Sequence, residues 1–483
     1  MPQLTQTATR REKDSLGTKE IPAHVYYGIQ TVRALENFPI SGMRAHPRLI
    51  RAVAMVKEAA AEANRELGLI DGKIANAIIQ AAREVEQGKW NGEFVVDVFQ
   101  AGAGVSFHMN TNEVIANRAL EILGESLGDY LKLHPNDHVN YGQSTNDVFP
   151  TAMRLAALLE LEDLYPVLDS LVEALDHKGT EFHHLLKSGR THMQDAVPLR
   201  LGQEFRAYAG AIRRAADQIR SSAELLREVG LGGSAVGTGI NTHPDYRALA
   251  IGNLERISGE KLVSVDDMRY AMQSNLAMAA VSSALRNLAL EVIRISNDLR
   301  LLSSGPNTGL AEINLPALQP GSSIMPGKIN PVIPELAAMV SFQVIGNDAA
   351  VAMAVQAGQL ELNVMMPTMA YSVLQSLAIL TSMLRQFTER CVRGITANEK
   401  RCNFYVEATV SLATALNPYI GYAKAAEIAK EAVATGRSII EIAREKKLLS
   451  EQEIDEILDP VRMTEPVRPL AAAQKREEIK SKI

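Results

Sequence analysis

Three stretches of this chain repeat an apolar residue at alternating steps of four and three. Val281, Leu285, Leu288, Val292, Ile295, Leu299 and Leu302 form the first. Val373, Leu377, Leu380, Leu384, Phe387 and Cys391 form the second, and Ile212, Ala215, Ile219, Ala223, Leu226 and Val229 the third. Such spacing predicts helices with a heptad seam, packed nearly parallel to their neighbours. The first stripe alone spans about 33 Å at 1.5 Å per residue. Helices this long and this apolar need neighbours on more than one face, so association of several chains through them is expected. Alternating strand patterns of comparable strength are absent. The fold class read from the pattern is all-α.

The rest of the chain is arranged around these helices in three parts. Residues 1–141 alternate helical patterns with loops and carry several short motifs. Residues 142–395 hold the long helices, and residues 396–483 form a smaller, more charged helical end. Beyond Pro460, the prolines Pro466 and Pro469 and a Lys/Glu-rich finish predict a loosely held tail. The length of 483 residues fits ~3 domains. With 46% hydrophobic and 22% charged residues, the composition is that of a globular protein. A net charge of −6 and the lack of any basic block argue against a nucleic-acid partner. No uninterrupted apolar run reaches the ~18–20 residues of a membrane span, so no membrane partner is expected. The segment from Met1 to Lys13 is polar and lacks an apolar signal core. Cys391 and Cys402 have neither disulfide-framework nor metal spacing and read as packing residues, which makes a cytoplasmic location the expectation.

The candidate chemistry lies in polar loops between the helical stretches. Gly321-Ser-Ser-Ile-Met-Pro-Gly-Lys-Ile-Asn-Pro331 combines two hydroxyls, one cation and one amide in a run that Gly and Pro keep out of regular structure. Such a loop suits an anion: Lys328 supplies charge, Asn330 and the backbone supply donors, and a serine hydroxyl can handle a proton. It is not a phosphate loop. Five residues separate Gly321 from Gly327 where four are needed, and Ile329 follows the lysine.

Four further clusters share this character. Gln100-Ala-Gly-Ala-Gly-Val-Ser-Phe-His-Met-Asn110 allows a close backbone approach to a ligand, or is simply a tight turn that opens a helix. In Gln143-Ser-Thr-Asn-Asp147, three uncharged side chains, Ser144, Thr145 and Asn146, can bind a carboxylate or cap a helix, and both roles are compatible. Nearby His134 and His138 lack a third metal ligand and read as structural. Ser188-Gly-Arg-Thr-His-Met-Gln-Asp-Ala-Val-Pro198 places Thr191 beside His192 in a Gly/Pro-bounded loop, in polar company that favours a functional role. Gly232-Gly-Ser-Ala-Val-Gly-Thr-Gly-Ile-Asn241 reads, taken alone, as a turn.

These clusters, in this order, resemble the aspartase/fumarase superfamily. So do Tyr27-Gly…Gln30-Thr-x-Arg33-Ala-x-Glu-Asn37 and Leu416-Asn-Pro-Tyr-Ile-Gly421, and the likeness runs from about residue 10 to 465. It implies a three-domain, all-α chain whose central helix bundle forms the core of a homotetramer, with active sites shared between subunits. It implies elimination of ammonia, water or an amine from a small succinate-like dicarboxylate to give fumarate, without metal or organic cofactor. Ser322 matches the general base, with Thr191 and His192 as further catalytic residues. Ser144, Thr145, Asn146, Ser323, Lys328, Asn330, Ser106 and Arg33 match substrate-binding positions.

Several features resemble the ammonia-lyase branch more than the class II hydratases: Gln-Ser-Thr-Asn-Asp, Pro331-Val-Ile-Pro-Glu335 and Tyr26-Tyr-Gly28. The expected reaction is therefore reversible deamination of L-aspartate to fumarate and ammonia. The alternatives are hydration of fumarate to malate, to which His134-Pro-Asn-Asp-His138 (similar to that branch's accessory dicarboxylate site) and Thr151-Ala-Met153 lean, and a related lyase with an altered substrate. The superfamily also includes non-catalytic lens crystallins, against which the retained polar set argues. One departure stands out: the family usually places Thr where this chain has Val105, which removes a hydroxyl and leaves Ser106 beside it.

Overall fold

The computed structural model describes residues 8–466 and is 63% helical with little sheet. A hairpin of β1 (Thr9–Asp14) and β2 (Gly17–Pro22) comes first, followed by α1 (Ile29–Asn37), α2 (Pro47–Glu66), α3 (Gly72–Glu86) and α4 (Val105–Ile122). The 37-residue helix α5 (Thr145–Glu181) leads into a second hairpin, β3 (Leu186–Thr191) with β4 (Gln194–Arg200). Then come α6 (Leu201–Ala223), α7 (Tyr246–Ser258), α8 (Met268–Gln273), α9 (Leu276–Leu302), α10 (Val332–Gln356), α11 (Met366–Arg390) and α12 (Glu399–Ala408). Short helices α13 (Asn417–Ile420), α14 (Tyr422–Thr435), α15 (Ile439–Lys446) and α16 (Glu451–Ile457) complete the described chain.

Local sequence sets many of the helix ends. Asp71 accepts from the backbone N–H of Lys73 and Ile74 and caps α3. Ser438 with Glu441, and Ser450 with Glu453, form reciprocal capping boxes on α15 and α16. Inside α5, Pro150 and Pro166 each remove one helical hydrogen bond, and the helix continues through both.

The chain forms two compact units. The first takes in the described residues up to Val167, with Ala215–Leu290 and Met339–Met383; the second comprises Leu168–Arg214, Glu291–Ala338 and the described residues from Leu384. The apolar stripes behave as their period requires. Every named residue of the first two stripes is buried, those of the first within α9 and those of the second within α11 except Cys391, which lies just past its end. The third stripe is buried too, but it outruns its helix: α6 ends at Ala223, Leu226 lies in a 3-10 turn and Val229 in a two-residue strand. Burial at a helical period therefore persisted after the backbone had left the helix.

Helices α9 and α10 are each long and apolar enough to cross a membrane by length and composition, and each carries charged residues along it. Helix α10 exposes Met339, Phe342 and Met353. The segment after Pro460, expected to be loose, is held as far as Glu465. The Gln203 side chain donates to the Thr464 carbonyl at 2.9 Å and to Glu465 at 3.0 Å. Pro469 and the Lys/Glu-rich finish lie outside the described residues.

Candidate active site

In the first unit, Gln143–Asp147 opens α5. The Ser144 hydroxyl accepts from the Asn146 N–H at 3.2 Å, an N-cap, and the three polar side chains sit half-buried around the helix start. Asn146 Nδ2 donates one N–H to the Ala235 carbonyl at 2.8 Å, which leaves its second N–H and its amide oxygen available. Asp147 is fully buried. Its carboxylate accepts from the N–H groups of Ser144 (2.9 Å), Gly232 (3.0 Å) and Ser234 (3.0 Å). It thereby fastens the Gly232–Asn241 cluster, which alone reads as a turn, to the Ser-Thr-Asn cluster. Burial pushes the Asp147 carboxyl up to about 6 despite these donors.

Beneath Thr145 lies a buried chain that the sequence did not disclose. His108 Nδ1 is 2.7 Å from Thr145 Oγ1, and His108 Nε2 is 2.7 Å from Lys57 Nζ. Lys57 also donates to Asn140 Oδ1 at 2.8 Å and Gln143 Oε1 at 2.9 Å. The one available signal was a lysine inside the small-residue run Ala52-Val-Ala-Met-Val-Lys-Glu-Ala-Ala-Ala61. Its partner is 51 residues away and lies beyond any local pattern.

The Gln100–Asn110 cluster is the tight turn that opens α4. Gly104 caps it at φ 84°, and a Cβ there would meet the Phe149 ring at 2.3 Å, so only glycine fits. Val105 is 41% exposed, whereas Ser106 is buried. Both line a cavity of about 530 Å³ together with Arg33, Glu113 and His134. The Arg33 fork in this cavity is already filled by Asp14, at 2.7 and 2.8 Å. His134 and His138 accept backbone N–H groups of their own turn, as structural residues do. No group of metal-ligating side chains occurs among the described residues.

The remaining candidates lie in the second unit. The Gly321–Pro331 loop is closed at its base by three ties. Gly321 N–H donates to the Lys328 carbonyl at 2.8 Å, Lys328 N–H to Met325 at 3.3 Å, and Asn330 Nδ2 to the Gly321 carbonyl at 2.7 Å. A Cβ on Gly321 would meet the Lys328 oxygen at 2.7 Å. The Ser322 hydroxyl oxygen accepts from two backbone N–H groups, Ile324 at 3.2 Å and Met325 at 2.9 Å. Ser323 and Lys328 are exposed, and Ser322 and Lys328 line one cavity of about 480 Å³.

Thr191 and His192 do not sit in an irregular loop as the sequence suggested. Thr191 ends β3 and pairs with Gln194, so His192 and Met193 form a two-residue hairpin turn at φ 53° and 61°. A turn of this hand normally takes Asn-Gly; two non-glycine residues in it store about 1–3 kcal/mol each. The hairpin base withstands this because Arg190 donates to both oxygens of fully buried Glu312 (3.1 and 2.9 Å) and stacks on Tyr405. Lys187 lies 3.7 Å from the same carboxylate and 3.3 Å from Glu204. Cys391 and Cys402 are buried, and burial pushes both thiols up to about 12, consistent with packing residues.

Comparison with known proteins decides the family. The family described as Lyase matches residues 17–346, and that described as Fumarase C C-terminus matches residues 412–465. The chain belongs to the aspartase/fumarase family of lyases. Aspartate ammonia-lyase of Bacillus subtilis (strain 168) is 50% identical over 461 residues, 95% of this chain and 97% of that relative. The Escherichia coli (strain K12) aspartate ammonia-lyase is 47% identical over 460 residues, 95% and 96% of the two chains. A solved fumarate lyase:delta crystallin from Brucella melitensis, bound to cobalt, superposes with a TM-score of 0.92 at 50% identity, over 95% of this chain and all of that one. Recombinant class II fumarase from Schistosoma mansoni superposes at 0.93 with 38% identity, again over 95% and 100%. This aspartase/fumarase chain thus carries its candidate residues on a fold shared by ammonia-lyases and hydratases.

Proposed function

We propose that this chain is a carbon–nitrogen lyase that reversibly converts L-aspartate to fumarate and ammonia. Support comes from relatives named aspartate ammonia-lyase, 47–52% identical across nearly the whole chain. The observation that carries the mechanism is the pair of backbone N–H groups on Ser322 Oγ. A serine hydroxyl must ionise to act as a base, and donors aimed at its oxygen favour the alkoxide. That alkoxide takes the C3 proton. The C–H electron pair moves into the neighbouring carboxylate as an enediolate, which Lys328 and the hydroxyls of Ser323, Ser144 and Thr145 stabilise by charge and hydrogen bonds. The electrons then return to form C2=C3 as the C2–N bond breaks, and its pair leaves on ammonia. His192 sits at the strained tip and Thr191 at the strand end beside it, an arrangement suited to orient the substrate. Asn146 keeps one N–H and its amide oxygen available, so it can meet either the carboxylate or the ammonium of the substrate.

The polar clusters lie on two separate compact units, and α10 leaves apolar side chains exposed. We take both as support for a homotetramer in which one site draws on several subunits. Its proposed working parts are residues 1–141, 142–395 and 396–483, and its proposed place is the cytoplasm. Fumarate absorbance followed with L-aspartate and separately with L-malate tests the reading. A rise with aspartate is expected; a rise with malate alone would replace the lyase by a hydratase, the second reading that the likeness to a class II fumarase favours.

A further inference from the structure

The buried chain Lys57–His108–Thr145 has a direction that its partners determine. The amide nitrogens of Asn140 and Gln143 donate to backbone carbonyls, Asn140 to Gln143 and Gln143 to Val139 and Tyr141. Their oxygens therefore face Lys57, which donates one N–H to each. What remains on Lys57 faces His108 Nε2: a third N–H if the amine is charged, a lone pair if it is neutral. The two cases have opposite consequences 2.7 Å further on, where His108 Nδ1 meets Thr145. A charged lysine donates to Nε2, the ring carries its hydrogen on Nδ1 and gives it to Thr145 Oγ1, and the threonine O–H is free to donate outward. A neutral lysine accepts from Nε2–H, Nδ1 accepts from Thr145, and the threonine offers only lone pairs to the site.

We propose that Lys57 and His108 are positioning residues for the substrate carboxylate: the Lys57 ammonium fixes His108 as the Nδ1–H tautomer, so that the Thr145 hydroxyl points its hydrogen at the carboxylate. This rests on the reading of Thr145 as a substrate-binding residue. It gives the site the influence of a cation that never touches the substrate. Burial holds the Lys57 amine well below the usual lysine range, with the fully buried Asp147 carboxylate acting in the opposite sense to keep it charged; burial and then the neighbouring Lys57 charge hold His108 well below the usual imidazole range. Around the chain the titratable groups are His108 on α4, Asp147 on α5 and, within electrostatic reach of Asp147, the buried Tyr246 hydroxyl on α7. A neutral imidazole is what a tautomer relay requires.

The test begins with the unaltered enzyme. Nitrogen-15 spectra of histidine-labelled protein, with His108 assigned by its loss in His108→Gln, are expected to show a neutral ring protonated at Nδ1. A ring protonated at Nε2, or at both nitrogens, overturns the proposal, and this readout needs no turnover. Absence of turnover of any dicarboxylate by the wild type would sink the functional reading while leaving the tautomer result standing. Kinetics give the second arm. Lys57→Met and Thr145→Val are each expected to raise KM for L-aspartate about tenfold or more with a smaller change in kcat, and the double variant to be no worse than either single one. Multiplying effects in the double variant would mean that Lys57 acts independently of Thr145, and would overturn the relay. If Lys57→Met does not fold, the tautomer spectrum of the wild type decides alone.

Discussion

The Ser-Thr-Asn cluster and the Gly-Ser-Ser loop carry similar side chains in opposite surroundings. The first is built on the start of a 37-residue helix and fixed from below by buried Asp147, His108 and Lys57. The second is largely exposed and is held by a few hydrogen bonds within its own eleven residues. This contrast fits the division of labour between recognition and reaction that the proposed mechanism assigns to the two. A group that binds a carboxylate gains from being preorganised, because its dipoles then need not reorient in the transition state. A group that must ionise, take a proton and later release it gains from a loop that can open to water and close over substrate. The hairpin tip at His192 is intermediate: exposed and strained, yet pinned at its base by a buried ion network.

The largest effect should come from the loop. Ser322→Ala removes the proposed base while leaving intact the helix-bound half. General-base removal typically costs 10²–10⁴-fold, so kcat should fall by that factor with KM for L-aspartate changing far less. Near-normal turnover in the variant would move the base elsewhere and end the division drawn above.

Next in size is the pin beneath the hairpin. Glu312→Ala leaves Arg190 without its carboxylate and Lys187 with only Glu204. Breaking a buried ion pair by removing one partner costs about 3–5 kcal/mol. A fall of that size in unfolding free energy, accompanied by loss of activity, is expected from denaturant titration. Unchanged stability would show that the strained turn holds itself.

Legibility in the sequence followed the same contrast. The α9 and α11 stripes were plain because a helix buries residues at a fixed short period, and all-α could be read from them directly. The Gly-Ser-Ser loop was plain because its chemistry is contiguous in the chain. The β3–β4 hairpin was not: its turn is His-Met instead of Asn-Gly, and the β3 residues Lys187, Ser188 and Gly189 are buried in succession without alternation. The β1–β2 hairpin was hidden for a related reason, since almost every residue in it is polar and only Glu12 and Ile21 are buried. The Lys57–His108–Thr145 chain joins three segments distant in sequence, and only folding places them together. Arg33 shows the converse: its motif was legible, while its engagement with Asp14 was not.

Asp147 offers a pH test of how deeply the recognition half is built in. Its carboxyl is raised to about 6 from an ordinary 3.8, so between these values the folded state holds more protons than the unfolded one. Its contribution to stability therefore falls as pH rises through that window, by about 3 kcal/mol at 1.36 kcal/mol per unit. Asp147→Asn cannot titrate and should lack this slope. Wild type and variant compared by denaturant unfolding from pH 4 to 7, at one protein concentration, should diverge in that sense, the wild type losing stability relative to the variant. Parallel curves would place the carboxylate in contact with water and the cluster nearer the surface than the hydrogen bonds indicate.

The smallest effect concerns Val105, where the family resemblance leads to the expectation of a threonine. Val105 begins α4 as a residue 41% exposed, beside buried Ser106, and lines the same cavity. A threonine has nearly the shape of valine and adds one hydroxyl. Hydrogen bonds to charged groups contribute about 1.5–3 kcal/mol, and exposure to competing water places Val105→Thr at or below the lower end of that range. We therefore expect kcat/KM for L-aspartate to rise by up to about tenfold, with little change in stability. A rise carried by KM would add Val105 to the preorganised recognition half, and a rise carried by kcat would assign it to the half that acts in the transition state. Unchanged or lower activity would show that Ser106 already supplies the donor and that this site has adapted to valine.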